Sequence, residues 1–193
     1  AKILADDIEF GSDENEDGLY IDPAIDDSLL VWARKKHPKN YIKILSEDEG
    51  IFTSRDINRK VPLMYTLNIM STILIGFFRR NESSITLLDD YKDNFSDKDK
   101  IIDLIDLSAS TFLKLKLPKT SIWRNKSNFF SLIVAIANSG GKINDAKSTR
   151  QRLIEFETNV PPEYSLAAKE AVNNKNEREL RDRYVKNLLS LDR

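Results

Sequence analysis

Apolar residues recur along this chain mainly at three-to-four spacing, so the elements they predict are helices. From Asp26 the pattern turns helical. Asp26 or Asp27 can cap, Leu29, Leu30, Trp32 and Ala33 supply an apolar side, and His37 followed by Pro38 ends the run. Residues 51–60 open on Ile51 and Phe52, then set Thr53 three residues before Asp56, a capping-box-like start with Asp in the Glu position. That start predicts one or two helical turns leading into Pro62, a good first-turn residue for the next helix. Over about 62–80, Leu63, Leu67, Met70, Leu74, Phe77 and Phe78 keep the helical spacing, which makes this the expected central buried helix.

A shorter helix is predicted over 84–95. Ser96 or Asp97 then caps a long one carrying Ile101, Ile102, Leu104, Ile105, Phe112 and Leu115 and stopped by Pro118. Residues 123–137 hold Phe129, Phe130, Leu132, Ile133, Val134 and Ile136, and Asn138, Ser139, Gly140 and Gly141 close the run as a left-handed cap would. A short amphipathic helix follows over 148–157, closed by Pro161 and Pro162. Helices over 164–172 and about 176–191 flank a break at Asn173 and Asn174. No segment longer than four residues alternates cleanly, so a sheet is at most a minor component. The expected fold is all-α: a compact bundle of about seven or eight helices in one domain over 26–193, without internal repeats. Residues 1–25 read as an irregular acidic lead-in or linker, from which Ile3, Leu4, Ile8 and Phe10 can still dock as a short strand or peptide.

Charge changes this picture, because the net charge of −1 is a cancellation. Residues 1–30 carry ten acids and one Lys, a balance of −9, whereas residues 111–152 carry nine bases and one acid, Asp145, a balance of +8. The segments 31–110 and 153–193 sum to +1 and −1, so the positive excess has one address. If the helices over 107–117 and 124–138 pair antiparallel, as the short connection 118–122 suggests, its cations cluster. These are Lys114, Lys116, Lys119, Arg124, Lys126, Lys142, Lys147, Arg150 and Arg152, with Trp123 among them, a composition compatible with contact to a phosphate backbone. They are the candidate nucleic-acid residues, and a solvated loop rim over apolar core is the plain alternative. The acidic segment can lie against the same window, in this chain or another, although simple solubility is the simpler use.

Catalytic chemistry is thin. There is no Cys, one His (His37) and one Gln (Gln151), which removes disulfides, thiol nucleophiles, Cys zinc sites and centres built from two histidines. His37, before a Pro and after Lys35 and Lys36, reads as an exposed helix end. The carboxylate pairs Asp6 and Asp7, Asp26 and Asp27, and Asp89 and Asp90 are sequence neighbours pointing apart, and no Gly pattern forms a phosphate loop. No catalytic residue, metal ligand or cofactor is therefore expected. The most apolar stretch, 69–78, is ten residues, against roughly 20 for a membrane span, and no secretory signal is recognisable. A soluble, cytoplasmic chain without membrane contact is expected. Because it opens on Ala1 rather than Met, it reads as processed, trimmed or cut from a longer protein.

Three segments carry a resemblance. Residues 51–60 (IFTSRDINRK), 123–135 (WRNKSNFFSLIVA) and 164–184 (YSLAAKEAVNNKNERELRDRY) resemble, in that order, the helical C-terminal part of the GmrSD-like restriction proteins. The shared marks are an F-x-x-x-D-I-x-R phrase, a basic K-S-N-F-F-x-L phrase opening a buried helix, and a terminal Tyr, Asn-Asn-Lys, Arg, Arg series. The resemblance covers roughly 28–193. It implies prokaryotic defence against phage DNA, including modified DNA, by proteins whose ParB/sulfiredoxin-like N-terminal domain hydrolyses nucleotides or cuts DNA. The family's Asp-Gly-Gln-Gln-Arg phrase cannot be present with a single Gln, and companion HNH chemistry needs more than one His.

What the resemblance leaves for this chain is a non-catalytic helical role: supporting a missing catalytic domain or companion subunit, contacting duplex DNA, or pairing protomers as a homo-oligomer. Arg59, Arg178 and Arg181 are the candidate partner contacts. Arg59 is also placed to form an ion pair near a helix start. Arg178, Arg181 and Tyr184 read as one side of the last helix, with Leu180, Leu188 and Leu191 facing inward. Asn173, Asn174 and Lys175 read as a tight turn whose side chains bond the backbone. A helical protein–protein or oligomerisation module with no nucleic-acid role is the competing class.

Overall fold

The computed structural model describes residues 28, 31, 32, 35–79, 86–88, 90, 91 and 95–190. Among these every regular element is helical. They are α1 (Lys39–Leu45), α2 (Ser54–Asn58), α3 (Val61–Ile75), α4 (Lys98–Lys114), α5 (Lys126–Asn138), α6 (Ala146–Thr158), α7 (Pro162–Lys169) and α8 (Lys175–Leu189), with single 3-10 turns at Glu47–Glu49 and Ile122–Arg124. Ser28, Val31, Trp32 and Lys35 are helical, as are residues 86–88 and 90. The acidic lead-in with Ile3, Leu4, Ile8 and Phe10, the caps Asp26 and Asp27, half of the predicted 84–95 helix, and Leu191 lie outside the described residues. Among the described residues no helix is long and apolar enough to cross a membrane.

The core is organised around α5. Every residue from Asn128 to Ala137 is buried, and α3, α4, α7 and α8 all pack against this helix. Its run FFSLIVAIA has no charged side chain, so no face of the helix favours water, and a helix apolar all round is stable only when surrounded. Each large side chain buried there contributes about 1.5–3 kcal/mol. This corrects the expected centre at 62–80. α3 stops at Ile75 because Gly76 takes a φ of 79°, and it leaves Met64 and Ile75 40% and 50% exposed. α3 is thus a flank of the core, joined to α5 by Tyr65, whose ring stacks on Phe129 and whose hydroxyl donates to the Lys126 carbonyl at 2.6 Å.

Local signals set several boundaries. Thr53 and Asp56 form the reciprocal capping box that opens α2, and Pro62 occupies the first turn of α3. α5 is closed by Gly140 and Gly141, with φ of 78° and 79°. A Cβ on Gly141 would meet the Leu107 side chain at 2.9 Å, and its carbonyl accepts from the buried Thr111 hydroxyl at 2.6 Å, so the chain turns back hard against α4.

α1 was not expected, and its start shows why. The N–H groups of Asn40 and Tyr41 donate to Asp106 Oδ1 at 2.8 and 3.0 Å, and Asn40 Nδ2 donates to Asp106 Oδ2 at 2.8 Å. The cap comes from α4, across the fold rather than from the preceding residues. Trp32 and Lys36 reach the same side of α4: Trp32 Nε1 donates to Asp99 at 3.0 Å and Lys36 bridges Asp99 and Asp103 at 2.7 and 3.0 Å. α4 therefore presents carboxylates along its N-terminal half and cations at its C-terminal end, the arrangement its macrodipole favours.

Candidate nucleic-acid interface

The basic window folds into a frame that sorts its nine cations into two groups. At the end of α4 exposed and buried residues alternate: Lys114 and Lys116 point out while Leu115 and Leu117 are 0% and 4% exposed. The two leucines pin the turn into the core and the lysines have nowhere to go but water. Lys116 adopts a left-handed φ of 48°, which costs a non-glycine residue on the order of 1 kcal/mol. The turn is held there by its N–H bond to Leu113 O at 3.1 Å and by Arg150 Nε, which donates to the Lys116 carbonyl at 3.4 Å. The Thr111 to Gly141 bond brings Lys142 against the same helix, and α6 carries Lys147 and Arg150 onward from that loop.

Lys114, Lys116, Lys119, Lys142, Lys147 and Arg150 are all exposed, and none of them pairs with a carboxylate among the described residues. The window's one acid does not neutralise them. Asp145 caps α6, accepting from the Lys147 and Ser148 N–H groups and the Ser148 hydroxyl, and these bonds, the hydroxyl's foremost, hold its carboxyl below the usual range. The six cations are left to the solvent side.

The other three are used inside the protein. Arg124 is a buttress: Nε donates to Pro118 O at 3.1 Å, Nη2 to Leu117 O at 3.1 Å, and Nη1 to the Glu49 carbonyl and carboxylate at 2.7 and 2.9 Å. Its side chain is 10% exposed and its guanidinium lies over Phe112. Lys126 pairs with Asp56 at 2.7 Å, over the Phe52 ring. That ammonium, helped by the Thr53 N–H, holds the Asp56 carboxyl down to about 2. Arg152 donates to Leu188 O at 2.6 Å, near the end of α8, and to Thr149 Oγ1 at 3.1 Å. Trp123, read from sequence as part of the basic surface, is 0% exposed and gives its indole N–H to Leu153 O at 3.0 Å, so it cannot stack on a base.

The candidate partner arginines separate as well. Arg59 is exposed at the end of α2, and the ion pair expected for it is made by Lys126 instead, which lies nearer the Asp56 carboxylate. Arg178 and Arg181 are 2% and 1% exposed, which corrects the surface stripe drawn for them. Arg181 fills three acceptors, Ser131 Oγ at 3.0 Å, Val172 O at 2.9 Å, and Ala167 O. Arg178 is held between Phe78 and Phe130, 5.0 and 4.7 Å from their centroids, and donates once, from Nη2 to Asn173 Oδ1 at 3.2 Å. Its Nε and Nη1 are buried without a hydrogen-bond partner among the described residues. Burial, then the neighbouring Arg181, lowers the Arg178 pKa to about 10. Asn173 thus bonds a side chain rather than the backbone, and Asn174 caps α8 without a side-chain bond.

His37 is exposed on the stretch between the first helical residues and α1. It lines a cleft of about 280 Å³ together with Lys36, Asn40, Asp103, Asp106 and Ser110. Both carboxylates there are committed, Asp103 to Lys36 and Asp106 to the α1 cap. No group of three or more His, Asp or Glu side chains that could hold a metal occurs among the described residues. Among the described residues the fold is all-α and leaves the six window cations exposed, with Arg150 bonded to the Lys116 carbonyl. Compared with known proteins, the chain matches no family model, no curated protein and no solved structure.

Proposed function

We propose that this chain is a non-catalytic helical domain that contacts the phosphate backbone of duplex DNA, in the manner of a GmrSD-like defence protein that supports a nucleotide-hydrolysing or nuclease domain. The observation that carries the DNA contact is the set of six exposed cations, without carboxylate partners among the described residues, around the α4 end and the 141–150 segment. Point charges on lysines suit phosphates and carry no base code, and the buried Trp123 offers no stacking platform for single strands. Binding is therefore electrostatic and indifferent to sequence. The supporting role rests on the resemblance of 51–60, 123–135 and 164–184.

Fluorescence anisotropy with a labelled 25-base-pair duplex tests the DNA contact. Six phosphate contacts give a log–log salt slope of about −5, and the K114Q/K116N/K119Q/R150Q variant should bring it to about −2 with at least tenfold weaker binding at low salt. No binding at low salt, or an unchanged slope in the variant, overturns the reading.

A further inference from the structure

We infer that the acidic segment 1–27 of this chain docks on the same cationic face and competes with polyanions for it. The inference rests on that surface being an anion-binding face, the property the DNA reading also uses.

The charges match best at the 111–152 window. Residues 1–27 hold ten acids and Lys2, seven of the acids between Asp6 and Asp17. Outside 111–152 the largest local excess is Arg34, Lys35, Lys36, Lys39 and Lys43, of which Lys36 is held by Asp99 and Asp103, so the window at 111–152 carries the larger number of cations. Within the window, Arg124, Lys126 and Arg152 are occupied internally, and six exposed cations remain. Seven negative charges therefore meet six positive ones.

The path is also the right length. Trp32 and Lys36 anchor the entry of the body at Asp99 and Asp103, on the N-terminal half of α4. At that end Lys36 is already engaged by Asp99 and Asp103, whereas Lys114 and Lys116 stand at the other end without a carboxylate partner among the described residues. From Asp99 to Lys114 is fifteen residues of helix, about 22 Å at 1.5 Å per residue. Ser12, central to the seven acids, is sixteen residues before Ser28. A coil of that length has a root-mean-square span of about 22 Å, which matches the distance to be crossed. A tether matched to its span gives an effective concentration on the order of 1 mM. An intrinsic affinity of about 0.1 mM, at the weak end of nonspecific polyanion binding, then raises the apparent Kd for DNA about tenfold. Salt above a few hundred millimolar screens the contact.

The full chain contains no Cys, so S12C is a unique attachment point for a nitroxide label. The expected result is salt-sensitive broadening of the Lys114, Lys116, Lys142 and Arg150 amide resonances at 25 mM salt, absent at 500 mM. It should also disappear when D6N, D7N, E9Q, D13N, E14Q, E16Q and D17N are combined in the labelled chain. Broadening that is absent, or no stronger there than on α7, overturns the inference. So does broadening seen only when labelled chains without isotope are mixed with unlabelled, isotope-enriched ones, which would assign the contact to a second copy. In the duplex assay the seven-fold neutralised chain should bind about tenfold tighter at 50 mM salt, and equal affinity counts against competition. Selective broadening without any DNA binding keeps the docking and removes the DNA reading. DNA binding without broadening does the reverse.

Discussion

Replacing Arg124 by Ala removes a side chain that joins the turn after α4 to the Glu47–Glu49 turn. Three acceptors lose their donor together, the carbonyls of Leu117 and Glu49 and the Glu49 carboxylate, whose side chain is only 17% exposed, while the Pro118 carbonyl keeps its bond from the Ser121 N–H at 3.0 Å. Bonds to a charged group are worth about 1.5–3 kcal/mol each, and they are not additive here because one guanidinium makes them all. Leaving a partly buried carboxylate unpaired sets the scale, so a loss on the order of 3 kcal/mol is expected, toward the lower end of that range for fully buried pairs. For a chain of 193 residues this corresponds to a fall in Tm of roughly 6–12 °C. Arg124→Lys should recover little, because a single ammonium cannot span the acceptors reached by the planar fork. The assay is thermal and urea unfolding followed by helical circular dichroism, with K119A as the exposed-cation control, expected to stay within about 0.5 kcal/mol. If R124A unfolds within about 1 kcal/mol of the parent while losing as much DNA affinity as the four-residue surface variant, Arg124 is a phosphate contact and the buttress reasoning is refuted.

Two further outcomes follow from the buried and paired charges. Asp56 has its pKa lowered in the folded state, so its pair with Lys126 adds stability above the unfolded value of about 3.9 and loses it as pH falls toward about 2. D56N should therefore lower the urea midpoint at pH 6 and leave it nearly unchanged near pH 2, and an equal deficit at both pH values would show that the pair is not the cause. R178M removes a desolvated cation with two unpartnered donors and should leave stability within about 1 kcal/mol of the parent or raise it, whereas R181M strands three acceptors and should cost on the order of 3 kcal/mol. Equal losses in the two variants, measured by urea unfolding, would contradict this division.

The features legible in the sequence were those whose causes lie within a few residues. The Thr53 and Asp56 capping box, Pro62 in a first turn, and the glycines closing α5 are local arrangements of the backbone, and they stand where periodicity put them. The all-α character follows from spacing alone. Features decided by distant neighbours were not legible. α1 depends on a cap from Asp106, and the choice of α5 over α3 as the centre depends on which helix acquires partners on every side. Arg178 and Arg181 sit among acids in sequence, a pattern that reads as surface, yet their side chains reach Phe130 and Ser131 of α5.

Sequence by itself determined the inventory: helices, an acidic beginning, a +8 window, and a shortage of His and Cys that removes thiol and multi-histidine chemistry. Only the tertiary structure decided how that window is used, because a cation's availability depends on the acceptors that folding brings within about 3 Å. Arg124 met Glu49 from seventy-five positions away and Arg152 met Leu188 from thirty-six, while Lys114, Lys116, Lys119, Lys142, Lys147 and Arg150 met no carboxylate among the described residues.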